Sequence, residues 1–351
     1  ASAGIGRTCE FPVTSTEPAV DVAMRQAIEL AAGTRDPSPN PRVGCVLLSP
    51  DGEVIATGAH EGAGTHHAEV IALAVAGSRA RGSTAVVTLE PCNHTGRTGP
   101  CSEALIAAGV ARVVFGQSDP NPEAAGGADR LRAAGVTVTG GLREKEAADL
   151  NRIWSFAMAQ QRPEITWKIA ATLDGKVAAP DGTSRWITGD AAREQVHELR
   201  AAHDAVLVGT TTVLTDDPEL TARTGSVVGQ PWRVVMGQRS VPAGARVRLA
   251  DPTDRFWQIP SRDPVFAAEQ MARRGIHTVL LEGGPALAGS FLRAGLIDRI
   301  IWYTAPALLG AGQPAVADLG VGSMAGIVRL ELLDVLRVGD DVRIDLRPSG
   351  A

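Results

Sequence analysis

Apolar and polar positions along the first 140 residues switch repeatedly between helical and strand spacing. Residues 20–32 repeat at helical spacing, with Asp21 near the start and Gly33 at the end. Pro37, Pro39 and Pro41 punctuate a loop. Residues 43–48 and 53–59 read as two strands joined by the Asp51-Gly52 turn. Helix is expected at 67–76, strand at 84–89, helix at 102–108 and strand at 112–115. Helix 129–134 and strand 136–139 repeat the unit. Such alternation predicts a sheet covered by helices on both faces.

Residues 143–161 read as one long helix, stopped by Arg162-Pro163. The boundary between two domains, 1–161 and 162–351, is placed there. In the second, strands are expected at 165–171, 205–209, 233–236, 278–281 and 299–304. Helices are expected at 191–202, 264–274 and 286–294. Residues 330–346 alternate around Gly339-Asp340 in the manner of a hairpin. The two halves show no internal repeat.

Length and composition narrow the class. The 351 residues suffice for two domains, each with its own core. Aromatic residues make up only 4%, which argues against a base-stacking nucleic-acid surface. The net charge of -5 repels nucleic-acid backbones and anionic membranes, so neither is an expected partner, and a phosphorylated ligand would need local cations. Cys9, Cys45, Cys92 and Cys101 are too few for a disulfide scaffold. Residues 1–18 lack the apolar segment of a secretory signal, and no apolar run approaches membrane-spanning length. The expectation is a cytoplasmic protein with reduced thiols, Cys9 and Cys45 serving as small buried hydrophobes.

The densest chemistry lies in His67-Ala68-Glu69 and in the stretch from Glu90-Pro91-Cys92 to Pro100-Cys101. One histidine and two thiolates suit a catalytic zinc that keeps its fourth position for water, and the metal would lower that water's pKa. A carboxylate that is not a ligand must then carry the proton, and Glu69 fits if His67 stands in the first turn of its helix. Unrelated core thiols, or a Cys92–Cys101 disulfide, are the competing readings. The combination of His-x-Glu with a Pro-Cys after a strand and a second cysteine opening a helix favours the metal.

His67-Ala68-Glu69 with Pro91-Cys92 resembles the cytidine-deaminase-like superfamily, whose zinc deaminases carry H-x-E and P-C-x-x-C. Here eight residues, not two, separate the cysteines. The longer loop, Cys92-Asn93-His94-x-Gly96-Arg97-Thr98-x-Pro100-Cys101, resembles the riboflavin-pathway deaminases. So do Asn40-Pro41-x-Val43-Gly44-Cys45-Val46 and Gly58-x-His60. The resemblance implies that His67, Cys92 and Cys101 bind Zn2+ and that Glu69 shuttles the proton from water to departing ammonia. It further implies that Asn40 and His60 line the substrate pocket, and that His94 and Arg97 face the ribose phosphate. His66 stands where the family often has proline, which makes it a rival ligand; His67 is preferred because only it has the glutamate at the right offset.

In the second half, Gly283-Gly284 follows a strand and precedes a helix, where backbone N–H groups can approach an anion. No G-x-G-x-x-G accompanies it. Trp167-Lys168-x-Ala170-x-x-Leu173-Asp174-Gly175-Lys176, Ser184-x-Trp186-Ile187-Thr188, Asp216-Asp217-Pro218-x-Leu220-Thr221-x-Arg223 and Glu282-Gly283-Gly284 resemble the riboflavin-pathway reductases. The resemblance, which spans nearly the whole chain, implies a cytidine-deaminase-like three-layer α/β/α domain followed by a dihydrofolate-reductase-like α/β domain. By it, Lys168, Ser184, Arg200, Leu220, Arg223 and Glu282 line a substrate pocket, with Arg200 and Arg223 on the phosphate. NADPH would meet Ala170, Trp186, Thr212, Asp216 and Gln238, together with Gly284, Pro285, Ala286, Leu287, Ala288, Gly289 and Ser290. At Gly237-Gln238-Arg239 the family often has an acid followed by a small polar residue; loss of the acid would suit the 2′-phosphate of NADPH, with Arg239 as its cation. The implied function is bifunctional: hydrolytic deamination of 2,5-diamino-6-ribosylamino-4(3H)-pyrimidinone 5′-phosphate, then reduction of the ribosyl group. A homo-oligomer, dimer or higher, is also implied.

Overall fold

The computed structural model describes residues 17–34, 39–94, 99–224, 229–250 and 253–349. Cys9, Pro37 and Arg97 lie outside them. The chain divides into two compact units, Ala1–Ala159 and Gln160–Ala351.

In the first unit, helix α1 (Glu17–Gly33) precedes the hairpin β1 (Gly44–Leu48) and β2 (Val54–Ala59). Next come α2 (Ala68–Ala76), β3 (Thr84–Leu89), α3 (Cys101–Ala108), β4 (Arg112–Gln117), α4 (Gly127–Ala133) and β5 (Thr137–Gly140). Helices α5 (Glu144–Leu150) and α6 (Arg152–Gln160) close the unit. The sheet order is β2-β1-β3-β4-β5. β1 runs antiparallel to β2 and β3, while β3, β4 and β5 are parallel.

Strand alternation sorts the core into two layers. Val46, Leu48, Val86 and Val114 pack with Val20, Ala23, Met24 and Ala27 of α1. Cys45, Leu47, Ala85, Val87 and Val113 pack on the opposite face with Ala68 and Ala72 of α2, Leu105 of α3 and Leu131 of α4. Helices therefore cover both faces, and Cys45 is a fully buried core thiol.

The long helix expected over 143–161 is instead two, broken at Asn151. This buried side chain accepts from the Arg42 N–H at 2.8 Å and donates to the Arg42 carbonyl at 2.8 Å. Both backbone groups of residue 42 are thereby satisfied across 109 positions of sequence. The bonds hold Asn151 at φ -119°, outside helical backbone.

The second unit contains β6 (Glu164–Thr172), β7 (Lys176–Ala178), α7 (Asp190–Ala201), β8 (Ala205–Gly209), α8 (Thr210–Asp216), β9 (Trp232–Met236), α9 (Arg246–Leu249) and β10 (Phe256–Ile259). There follow α10 (Pro264–Arg273), β11 (Thr278–Leu281), α11 (Pro285–Arg293), β12 (Arg299–Ala305), β13 (Gln313–Pro314), β14 (Leu330–Val338) and β15 (Asp341–Pro348). The large sheet has the order β10-β9-β8-β11-β6-β12-β15-β14. Its first six strands are parallel, and the C-terminal hairpin extends them antiparallel. The parallel strands are rich in Val, Ile and Leu because both their faces are buried. Among the described residues, no helix is long and apolar enough to cross a membrane.

Replacing Asn151 by Ala strands a partly buried N–H and C=O at residue 42. The expected loss is about 2 kcal/mol, read as a lower urea midpoint of the first unit's unfolding transition. An unchanged midpoint would show that the two hydrogen bonds add nothing to stability.

Candidate active sites

Gly58 in β2 makes the first site possible. A Cβ there would lie 2.2 Å from the Ala68 carbonyl oxygen, so only glycine lets the start of α2 rest on the strand. His67 caps that helix with extended backbone (φ -70°, ψ 157°), and Glu69 falls in the first turn, buried. Cys92 follows β3 and Cys101 begins α3. Gly127, at the start of α4, allows a second close approach, since a Cβ there would meet the Pro91 carbonyl oxygen at 1.7 Å.

These elements bring His67, Cys92 and Cys101 together, with their ligand atoms within 4.8 Å of one another. His67 Nδ1 lies 3.1 Å from Cys101 Sγ and 3.6 Å from Cys92 Sγ. A tetrahedral ion with bonds of about 2.3 Å needs ligand edges of about 3.7 Å, so the donor set fits zinc in type and size. His66 is exposed and outside the cluster; its backbone carbonyl faces His60 instead.

The two thiols are tightly coupled. The Cys101 thiol beside it holds Cys92 well below the usual thiol range, despite burial and helped by His67. The hydrogen bond to the Cys92 sulfur, together with burial, pushes Cys101 well above the thiol range. Metal ligation requires both sulfurs as thiolates, so binding of a dication here would release protons. Burial raises Glu69 to about 7.

Behind the cluster, Asn40 Nδ2 donates to His60 Nε2 at 3.0 Å, and His60 Nδ1 faces the His66 carbonyl at 3.0 Å. Since that carbonyl can only accept, the His60 proton sits on Nδ1. The His60 and His67 rings meet edge to face at 5.5 Å. His94 is exposed. Glu90 had no assigned role, yet its carboxylate accepts from the Ala128 N–H at 3.0 Å and the Asp119 N–H at 3.3 Å. These bonds tie the Pro91-Cys92 turn to α4; an acid directly before Pro-Cys at a strand end was the available signal.

The second unit holds a cavity of about 800 Å3, within the range of ligand pockets. Its walls include the carboxyl ends of β8 and β11, the usual ligand position in parallel sheets. Lys168, Ser184, Arg200, Leu220, Arg223 and Glu282 all line it. Ala170, Trp186, Thr212, Asp216, Gly284, Pro285, Ala286 and Leu287 do so too. The remaining cofactor residues do not. Ala288 is fully buried in the core, Gly289 packs toward Ala317, and Ser290 donates to the Leu287 carbonyl. Gln238 is exposed outside the cavity wall.

Charge is organised around Glu282. Arg200 grips its carboxylate with two hydrogen bonds, 2.6 Å from Nε and 2.9 Å from Nη2, and Lys168 Nζ lies 3.8 Å away. Burial alone would raise Glu282, but these cations hold it at about 2. Burial lowers Lys168, against the pull of Glu282. Arg223 sits between Glu219 and His197. His197 also lines the cavity; it stands three residues before Arg200 on α7 and so shares its face, which is the signal the sequence offers for it.

Two family models match the chain: the cytidine and deoxycytidylate deaminase zinc-binding region over residues 19–117, and the RibD C-terminal domain over 163–344. The riboflavin biosynthesis protein RibD of Mycobacterium tuberculosis is 47% identical over 332 residues, covering 93% of this chain and 97% of the relative. That of Escherichia coli is 40% identical over 359 residues, covering 92% and 98%. Among solved structures, Acinetobacter baumannii RibD superposes with a TM-score of 0.78 at 38% identity, covering 95% of this chain and 99% of that one. The diaminohydroxyphosphoribosylaminopyrimidine deaminase/5-amino-6-(5-phosphoribosylamino)uracil reductase of Thermotoga maritima gives 0.71 at 33% identity, covering 94% and 99%. A zinc-type deaminase unit and a reductase unit on one polypeptide, matched over almost their full length, make the chain a member of the RibD family of bifunctional riboflavin-biosynthesis enzymes, with zinc and NADPH as its cofactors.

Proposed function

We propose that the first unit hydrolyses the amino group of 2,5-diamino-6-ribosylamino-4(3H)-pyrimidinone 5′-phosphate at the His67, Cys92 and Cys101 cluster, and that the second reduces the ribosyl group of the product in the cavity around Glu282. The observation that carries the reading is the convergence of three metal-type ligands beside a buried carboxyl that is not one of them.

Zinc bound there supplies a Lewis acid that makes water acidic near neutral pH. Glu69, raised to about 7 by burial, would be the group beside the cluster that accepts a proton from the attacking water and returns one to the departing amine nitrogen. The Asn40 amide, fixed through its nitrogen by His60, keeps its carbonyl oxygen for the pyrimidine. Arg97 and His94 serve the substrate phosphate by family resemblance.

In the second unit, the residues lining the cavity would hold NADPH, whose chemistry would be hydride donation for reduction of the ribosyl group. Lys168 offers a proton donor softened by burial, while Arg200 fixes Glu282 as an anion facing the cavity. Arg223 and Ser184 bind the substrate at the rim. Gly284 opens α11 toward the cofactor phosphates, and a Cβ there would meet open space. The chemistry needs reduced thiols, which fits a cytoplasmic enzyme. A homo-oligomer has a surface to form on, since Leu332, Leu333, Val335 and Leu336 of edge strand β14 are exposed.

Ammonia release from the purified chain with zinc and the diamino substrate is expected before any NADPH is added, with stoichiometric NADPH oxidation afterwards. Reversed order, or no ammonia, would refute the assignment. Glu69→Gln should lower deamination about 10³-fold while metal analysis shows unchanged zinc and the reductase keeps its rate on deaminated substrate. His67→Ala is expected to lose both zinc and ammonia release, and His66→Ala neither; the opposite pattern would make His66 the ligand. Chelation should likewise silence only the first half-reaction.

A further inference from the structure

The histidine on the wall of the second unit's cavity has no part in the scheme above. His197 lines the wall and is half-buried. Its Nδ1 lies 3.1 Å from the Thr221 carbonyl and its Nε2 lies 3.1 Å from Arg223 Nη2. The carbonyl only accepts and the guanidinium only donates. Both contacts are hydrogen bonds in one form of the ring alone, neutral with the proton on Nδ1. A protonated ring would set N–H against N–H. Burial and the neighbouring Arg200 and Arg223 disfavour the imidazolium in the same sense.

The backing of this ring is fixed. Thr221 is buried, and its carbonyl also accepts from Arg200 Nη1 at 3.2 Å. The next residue is clamped by Gln230, which accepts from the Ala222 N–H and donates to its carbonyl, both at 2.9 Å. Arg223, by contrast, is exposed. Its other side contacts Glu219, which is shared with Arg246. An exposed arginine with one carboxylate partner has many conformations to lose on binding an anion. A second, uncharged partner removes that freedom without neutralising the guanidinium.

We propose that His197 is a positioning residue for the sugar-phosphate subsite: its unprotonated Nε2 holds the Arg223 guanidinium at the cavity wall, and so makes the reductase prefer phosphorylated over dephosphorylated substrate. The proposal rests on the reading of Arg223 as a phosphate ligand and adds the device that orders it.

Two substitutions separate the contacts of the ring. In His197→Gln the amide oxygen stands near the Nε2 position and can still accept from Arg223. In His197→Asn the shorter amide can replace only Nδ1 at Thr221. NADPH oxidation by the full chain is measured with 5-amino-6-ribosylaminouracil 5′-phosphate and with its dephosphorylated form. His197→Asn is expected to raise KM for the phosphorylated substrate about tenfold, the scale of one charge-assisted hydrogen bond, with kcat little changed. The dephosphorylated substrate should keep its kcat/KM, which also reports an intact fold. His197→Gln should recover most of the lost KM. Equal defects in the Asn and Gln variants, or equal losses on both substrates, would overturn the proposal while Arg223→Ala still abolished the phosphate preference. If Arg223→Ala left that preference intact, the underlying reading of Arg223 would fall and His197 with it.

Discussion

The first site depends on how closely a helix may approach a strand. With hydrogen at position 58, the Ala68 carbonyl rests against the backbone of β2, and the N-terminus of α2 is set before any ligand is considered. His67 then stands just ahead of the helix and Glu69 inside its first turn, two side chains that one helical face could not present together. Gly127 performs the same service for the Pro91-Cys92 turn on the other side. The metal-type cluster is therefore a product of packing at two glycines, and its chemistry inherits their rigidity.

Two buried glutamates show how surroundings divide one residue type into two roles. Glu69 has no arginine or lysine among the groups that shift it, so burial dominates and raises its carboxyl. Glu282 is as deeply buried but has Arg200 and Lys168 against it, so it stays an anion throughout the working range. The first is suited to the proposed transfer of a proton; the second is suited to holding cations in place. This division of carboxylates by environment is a general route to separate catalytic duties.

Much of this was legible in the sequence, and the omissions have physical causes. The α/β alternation, the helix boundaries at prolines and glycines, and the His-x-Glu and Pro-Cys spacing depend on local patterns, which survive folding. The break at Asn151 does not, because its partner is the backbone of Arg42, far away in sequence. The resemblance implies a contiguous strip, residues 284–290, on the cofactor. A helix shows only part of such a strip to one side, and Ala288 and Gly289 turn inward. Gln238 is exposed and not part of the cavity wall, a placement that sequence spacing does not reveal. His197 was passed over because its value lies in the lone pair it keeps, which depends on the Thr221 carbonyl and not on spacing.

Trp186 has a consequence of another kind. Of the six tryptophans in the chain it alone is mostly exposed, at 70%, while Trp167 is buried and the others are partly covered. It stands on the cavity wall, with the Arg193 guanidinium 4.6 Å from its ring centre. Emission from so solvated an indole lies to the red of the rest. Any ligand that covered this wall of the cavity would dry the ring and move that emission to the blue.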